Sequence, residues 1–186
     1  MGALAAAVQS GKALYAGLSN YNGETLEKAT AILTALHVPF VINQNRYSIF
    51  DRTIEQNSLK ETANRLGKGI IAFSPLAQGL LNDRYLHGIP DDSRVRTDGR
   101  FLKESALTEE KLAQIRALNE IAAARGQTLA EMALAWILKD GQVTSVLIGA
   151  SRPEQILDNI KALENTAFTA EELSAIDRAS GFAPAE

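Results

Sequence analysis

The chain has 186 residues and 46% apolar side chains, enough for one ordinary domain with a sizeable buried core. Its net charge of −3, with acids and bases interspersed, gives no support for a nucleic-acid partner or an acidic surface. It holds no cysteine, which rules out disulfides, thiol nucleophiles and thiolate metal sites and suits a reducing compartment.

The alanine-rich opening, residues 1–10, has neither the basic start nor the apolar stretch of a signal peptide. No run of ~18 apolar residues is present to span a bilayer, so the sequence reads as cytoplasmic, without membrane contact. A short helix is expected over 3–10, stopped near Gly11, and a strand over 13–18. Leu26, Ala29, Leu33 and Leu36 recur at helical spacing and predict a helix over 24–36, with Asn22 as its N-cap. A strand over 38–42 follows, then a helix over 53–66 closed by Gly67. Residues 69–73 form a short apolar run suited to a parallel sheet covered on both faces.

The stretch 75–107, rich in Gly, Pro, Asp and Arg, is long for a plain connection, and loops of that length are usually functional or disordered. A helix then starts at Thr108 and carries Leu112, Ile115, Leu118 and Ile121 toward Arg125 and Gly126. Thr128 with Glu131, and Thr169 with Glu172, are capping-box spacings that open two further helices. Between them lie a strand over 143–148 and a helix led by Pro153 that runs to about 163. One helix, four strand–helix units and a final helix imply a parallel sheet with right-handed crossovers. Four strands cannot close a barrel of eight, so the pattern fits either a small open doubly wound domain or half of a barrel.

Four strand exits concentrate polar or small residues: Gly17 to Asn20, Asn43 to Asn45, Phe73 to Leu76, and Gly149 to Ser151. Ligands in parallel α/β folds sit at such carboxyl ends. Ser19, Asn20 and Gln44 offer a hydroxyl and two amides, which suit a neutral carboxamide better than a phosphate. The competing reading is that Asn20 and Gln44 only fix local backbone. Phe73 ends a buried strand, where an aromatic can stack on a planar ring or simply pack.

The turn at Gly149, Ala150, Ser151 and Arg152 leads straight into a helix N-terminus, a favourable place for an anion. Arg84, Arg94, Arg96 and Arg100 stud the long loop and could fold over a polyphosphate or be solvated. His37 and His87 lack metal-ligand or catalytic neighbourhoods, and no H-E-x-x-H, G-x-S-x-G or G-x-G-x-x-G segment occurs.

SGKALYAGLSNY at 10–21, VINQNRYS at 41–48, IIAFSPLAQGLLNDRYLHGIPDDSR at 70–94 and VLIGASRPEQILDNI at 146–160 together resemble the aldo-keto reductase family. The resemblance covers essentially the whole chain. It is strongest to the bacterial glyceraldehyde 3-phosphate reductase group, near the potassium-channel β-subunit branch. It implies that 1–186 are the C-terminal half of a (β/α)8 TIM barrel, units five to eight plus a terminal helix. It also implies an NADP(H)-dependent reduction of aldehydes or ketones to alcohols, with glyceraldehyde 3-phosphate or methylglyoxal-like carbonyls among the substrates.

By that resemblance Ser19, Asn20 and Gln44 hold the nicotinamide carboxamide, and Phe73, where Trp or Tyr also occurs, stacks on its ring. Ser74, Pro75, Leu76, Ala77 and Gln78 match the pyrophosphate segment. Arg84 and Arg94 match basic residues that clasp the cofactor from the loop at 75–107. Gly149, Ser151, Gln155, Asp158 and Asn159 match the site for adenosine and its 2′-phosphate. Asp158 stands where Glu is usual, and Arg152 is a further 2′-phosphate contact. The family's catalytic Asp, Tyr, Lys and His have no match here; Tyr15, Tyr21, Tyr47 and Tyr85 are not the catalytic tyrosine. The expectation is a truncated reductase that carries the cofactor half and is inactive alone. The alternatives are a non-enzymatic, β-subunit-like interaction protein or a gene product without independent activity, with self-association through two exposed strand edges.

Overall fold

The computed structural model describes residues 1–85 and 104–182 of the chain. The helices are α1 Gly2–Gln9, α2 Gly23–Ala35, α3 Thr53–Gln56, α4 Leu59–Arg65, α5 Glu109–Ala124, α6 Leu129–Leu138, α7 Pro153–Ile160 and α8 Ala170–Ser180. The strands are β1 Ala16–Ser19, β2 Phe40–Arg46, β3 Gly69–Phe73 and β4 Ser145–Val146. Among the described residues no helix is long and apolar enough to cross a membrane.

The strands form one parallel sheet in the order β1-β2-β3-β4. That order settles the two architectures the sequence leaves open. A doubly wound sheet reverses its strand order at a switch point. This sheet adds each new strand on the same side, which is how a (β/α)8 barrel is wound. The chain is a four-stranded α/β sector of that kind.

The residues divide into two compact units. The first holds 1–47, 52–73 and 140–147, and with them the whole sheet. Its core forms where Ala16, Leu18, Ile70 and Ala72 on one sheet face are buried with Leu26, Ala29 and Leu33 of α2 and Leu59 and Ala63 of α4. Asn22 caps α2 as its position predicts, its Oδ1 accepting the Thr25 N–H at 2.9 Å.

Several boundaries differ from the sequence reading. The first strand starts at Ala16, not at 13. The helix expected over 53–66 is broken at Asn57 and Ser58, where Ser58 has φ 58°. The break turns the Asn57 carbonyl toward the Gly23 N–H, at 3.0 Å. A Cβ on Gly23 would sit 2.6 Å from the Ser58 carbonyl oxygen, so only glycine fits there. The fourth strand is two residues rather than six, flanked by Thr144 N–H to Ile70 O at 2.9 Å and Leu147 N–H to Ala72 O at 2.8 Å.

The second unit holds 48–51, 74–139 and 148–186. Met132 to Ile137 of α6 are all buried, so that helix is enclosed on every side. Both capping boxes form: Thr128 Oγ1 accepts the Glu131 N–H at 3.2 Å, and Thr169 Oγ1 accepts the Glu172 N–H at 3.1 Å. The helix expected to run to 163 ends at Ile160 and continues as the 3-10 turn Lys161–Glu164. No residue of α7 is buried, and Leu157 and Ile160 are more than half exposed.

Candidate functional site

Successive side chains on a strand point to opposite faces, so burial along each strand identifies the open face. In β2, Asn43 and Asn45 are buried, Gln44 is half-buried and Arg46 is exposed. In β3, Ile70 and Ala72 are buried while Ile71 and Phe73 are half-open. In β1, Ala16 and Leu18 are buried while Gly17 and Ser19 are exposed. The register pairs Ser19 with Gln44 and Arg46 with Phe73. Ser19, Gln44, Arg46 and Phe73 therefore share one open face at the carboxyl ends of three strands.

Asn20 follows Ser19 with φ 60°, a left-handed conformation that asparagine tolerates. Its N–H donates to the Gln44 carbonyl at 2.9 Å, which ties the end of β1 to β2. Three of the sequence-predicted residues are thus on one face and the fourth adjoins it. A hydroxyl and a carboxamide facing the same space can both donate to and accept from a planar amide. A half-open aromatic at the end of the neighbouring strand offers a flat apolar surface. Arg46 escaped the sequence reading. The signal that finds it is the two-residue alternation: counting on from Gln44 brings Arg46 to the same face.

Asn43, Gln44 and Asn45 are not a loop exit, as the sequence suggested, but lie within the C-terminal half of β2, which continues to Arg46. On the buried face Asn43 Nδ2 donates to Asn45 Oδ1 and Asn45 Nδ2 donates to the Tyr21 carbonyl at 3.2 Å, while Asn43 Oδ1 is buried without a partner among the described residues. Just beyond β2, Tyr47 is fully buried and its hydroxyl donates to Glu55. Lys60 Nζ donates to the Tyr47 oxygen at 3.5 Å and to Asp140 Oδ2 at 2.5 Å. Burial, and then the Glu55 carboxylate, push the Tyr47 phenol well above its ordinary value, so it holds its proton tightly.

The remaining candidates lie in the second unit. Ser74, Ala77 and Gln78 have φ of 54°, 47° and 61°, three left-handed non-glycine residues in a five-residue turn. The turn is held by Ala77 N–H to Ser74 O at 3.0 Å, Gly79 N–H to Leu76 O at 2.8 Å, and Gln78 Nε2 to Ser74 Oγ at 2.9 Å. Pro75 is buried, and Leu76 is half-buried. Backbone strain of this kind collects where a fixed shape is functional. Arg84 is exposed in the short turn Asp83–Tyr85. Arg94, Arg96, Arg100 and His87 lie outside the described residues.

At the start of α7 the Ser151 and Arg152 N–H groups, expected to be open to an anion, are already engaged. Gln155 Oε1 accepts from the Ser151 N–H at 2.8 Å, the Arg152 N–H at 3.3 Å and the Ser151 hydroxyl at 3.3 Å. An anion bound there has to displace the Gln155 carbonyl oxygen. Gly149 is exposed and Asn159 half-buried, and Asp158 is paired with Lys161 Nζ at 2.8 Å. Among the described residues no group of three His, Asp or Glu side chains could hold a metal ion.

The aldo/keto reductase family matches residues 1–180 of the chain. Over 179 residues the chain is 50% identical to the L-glyceraldehyde 3-phosphate reductases of Escherichia coli O157:H7 and of Escherichia coli K12. Each match covers 95% of this chain and 52% of the relative. The chain is also 36% identical over 184 residues to a putative voltage-gated potassium channel subunit beta of Schizosaccharomyces pombe, covering 96% of this chain and 54% of that protein. It spans about half the length of these curated relatives. The chain belongs to the aldo/keto reductase family.

Proposed function

We propose that this chain supplies the cofactor-binding face of an NADP(H)-dependent reductase that converts an aldehyde or ketone, glyceraldehyde 3-phosphate among the candidates, to an alcohol. The observation that carries the reading is the open sheet face on which Ser19 pairs with Gln44 and Phe73 lies one same-face position further along, paired with Arg46. Their chemistry fits a nicotinamide: Ser19, Asn20 and Gln44 would hold its carboxamide by donating and accepting, and Phe73 would stack on its ring. When bound, NADPH supplies a hydride for the carbonyl carbon.

In the second unit, Ser74 to Gln78 would hold the pyrophosphate through the strained turn, with Arg84 and Arg94 as its basic clasps. Gly149, Ser151, Gln155, Asp158 and Asn159 would take the adenosine and its 2′-phosphate, with Arg152 as a further contact. Gln155 would exchange its hydrogen bonds with the Ser151 and Arg152 N–H groups for that phosphate. Tyr47 is not the acid of the reaction, because burial and Glu55 hold its proton. Protonation of the carbonyl oxygen is assigned to residues outside these 186.

Calorimetric titration with NADPH tests the reading. Saturable binding is expected, weakened about tenfold or more by Gln44→Ala and Phe73→Ala together, since each removes roughly 1 kcal/mol of contact. No heat up to millimolar NADPH would reject it. The 186-residue chain alone is expected to oxidise no NADPH in the presence of an aldehyde. Turnover proportional to its concentration would overturn the assignment of the acid.

A further inference from the structure

Arg46 is the last residue of β2, exposed, and on the same face as Gln44. It is paired in register with Phe73, and its guanidinium carbon lies 5.9 Å from the centre of the Phe73 ring. A guanidinium is charged at every working pH and presents forked donors that match a phosphate. The neighbours on this face, Ser19 and Gln44, are neutral and serve an amide well; Arg46 brings the one chemistry they lack. Small phosphorylated carbonyls are only a few bonds long, so a carbonyl presented beside the Phe73 ring keeps its phosphate close to the same strand ends.

We propose that Arg46 is an anion-recognition residue on this face that selects a ligand bearing a phosphate. The substrate class it favours is a phosphorylated aldehyde or ketone rather than a neutral one. The inference rests on the cofactor reading above for the position of the ring, but not for the phosphate contact itself. The same phosphate chemistry is offered by a phosphorylated substrate and by the cofactor's pyrophosphate, and the experiment separates these sources.

The test titrates the chain, Arg46→Gln and Arg46→Lys with glycerol 3-phosphate, with glycerol, and separately with NADPH. Circular dichroism checks that each variant is folded; the exposed position makes that the expected result. Wild type is expected to bind glycerol 3-phosphate and not glycerol. Arg46→Gln should weaken glycerol 3-phosphate about tenfold to a hundredfold, the range of a lost charge-assisted contact. Arg46→Lys should recover part of the loss, because it keeps the charge without the fork. Loss toward glycerol 3-phosphate with NADPH affinity unchanged identifies a substrate phosphate. Loss toward NADPH alone identifies the cofactor and overturns the substrate assignment. Equal affinities of wild type and Arg46→Gln for both probes overturn the proposal altogether. If wild type fails to bind NADPH yet binds glycerol 3-phosphate through Arg46, the cofactor reading falls and this one stands.

Discussion

The strained turn after β3 shows what single residues contribute and what they conceal. A left-handed conformation costs a residue with a Cβ about 1–2 kcal/mol, and Ser74, Ala77 and Gln78 all adopt it. Ala77→Gly removes that strain but adds about 0.5–1 kcal/mol of chain entropy to the unfolded state. The net expectation is a gain of roughly 0.5–1 kcal/mol, read as a raised midpoint in urea. Ala113→Gly, at an exposed helical position of α5, is the control and should lose about 1 kcal/mol. Matching losses in both variants would refute strain at Ala77. Single residues were unevenly legible in the sequence. Asn22, Thr128 and Thr169 announce themselves because a cap acts on atoms three residues away. Asn43 and Asn45 look like a loop because their partners, each other and the Tyr21 carbonyl, appear only when the strand exists. Arg46 has no local signature at all; its neighbour Phe73 is 27 positions away and meets it through strand register.

Elements are docked by a few buried contacts as much as by their apolar faces, and α8 is the clearest case. The Arg125 side chain is only 3% exposed and lies 2.7 Å from Glu172 in the first turn of α8. Its guanidinium also donates to the Ala167 carbonyl at 2.9 Å and lies 3.7 Å from the centre of the Phe168 ring. Arg125→Met should therefore cost stability at the low end of the roughly 3–5 kcal/mol seen for broken buried pairs, since Glu172 keeps some contact with water. The Thr169 N–H, and then Arg125, hold the Glu172 carboxyl below its ordinary value. A carboxyl whose pKa is lower in the folded state stabilises fully above the unfolded pKa of about 4.3. That contribution is lost as the pH falls through the folded value. Glu172→Gln should flatten the acid limb of stability against pH; an unchanged acid slope would show that the carboxylate contributes nothing there. The sequence revealed α8 through its capping box and α5 through its apolar spacing. It missed the break between α3 and α4, because the approach of Gly23 to Ser58 is made by tertiary packing and leaves no mark on the periodicity of 53–66.

At the scale of the whole molecule, strand order carries the information that local pattern cannot. Four strand–helix units are written in the periodicity, but whether the next strand adds to the same side or the opposite one is decided by the packed sheet. The observed order leaves β1 and β4 each with one side unpaired by any strand among the described residues. Unpaired strand edges are templates for another chain unless charge, proline or cover blocks them. Near these edges Leu14 is 80% exposed, Tyr15 62% and Leu147 47%. Two such sheets related by a two-fold axis can pair β4 of each with β1 of the other in parallel, which closes eight strands, the number of the (β/α)8 barrel. The 186-residue chain is therefore expected to self-associate, with sedimentation equilibrium giving a dimer that dissociates on dilution. Leu14→Lys with Leu147→Lys should shift the equilibrium toward monomer while the far-ultraviolet circular dichroism stays unchanged, because Leu14 is largely in water and Leu147 about half so. A wild-type chain that remains monomeric from micromolar to submillimolar concentration would show that its edges are guarded. A dimer indifferent to both lysines would place its contact on another surface, for which the exposed Leu157 and Ile160 of α7 are the next residues to change.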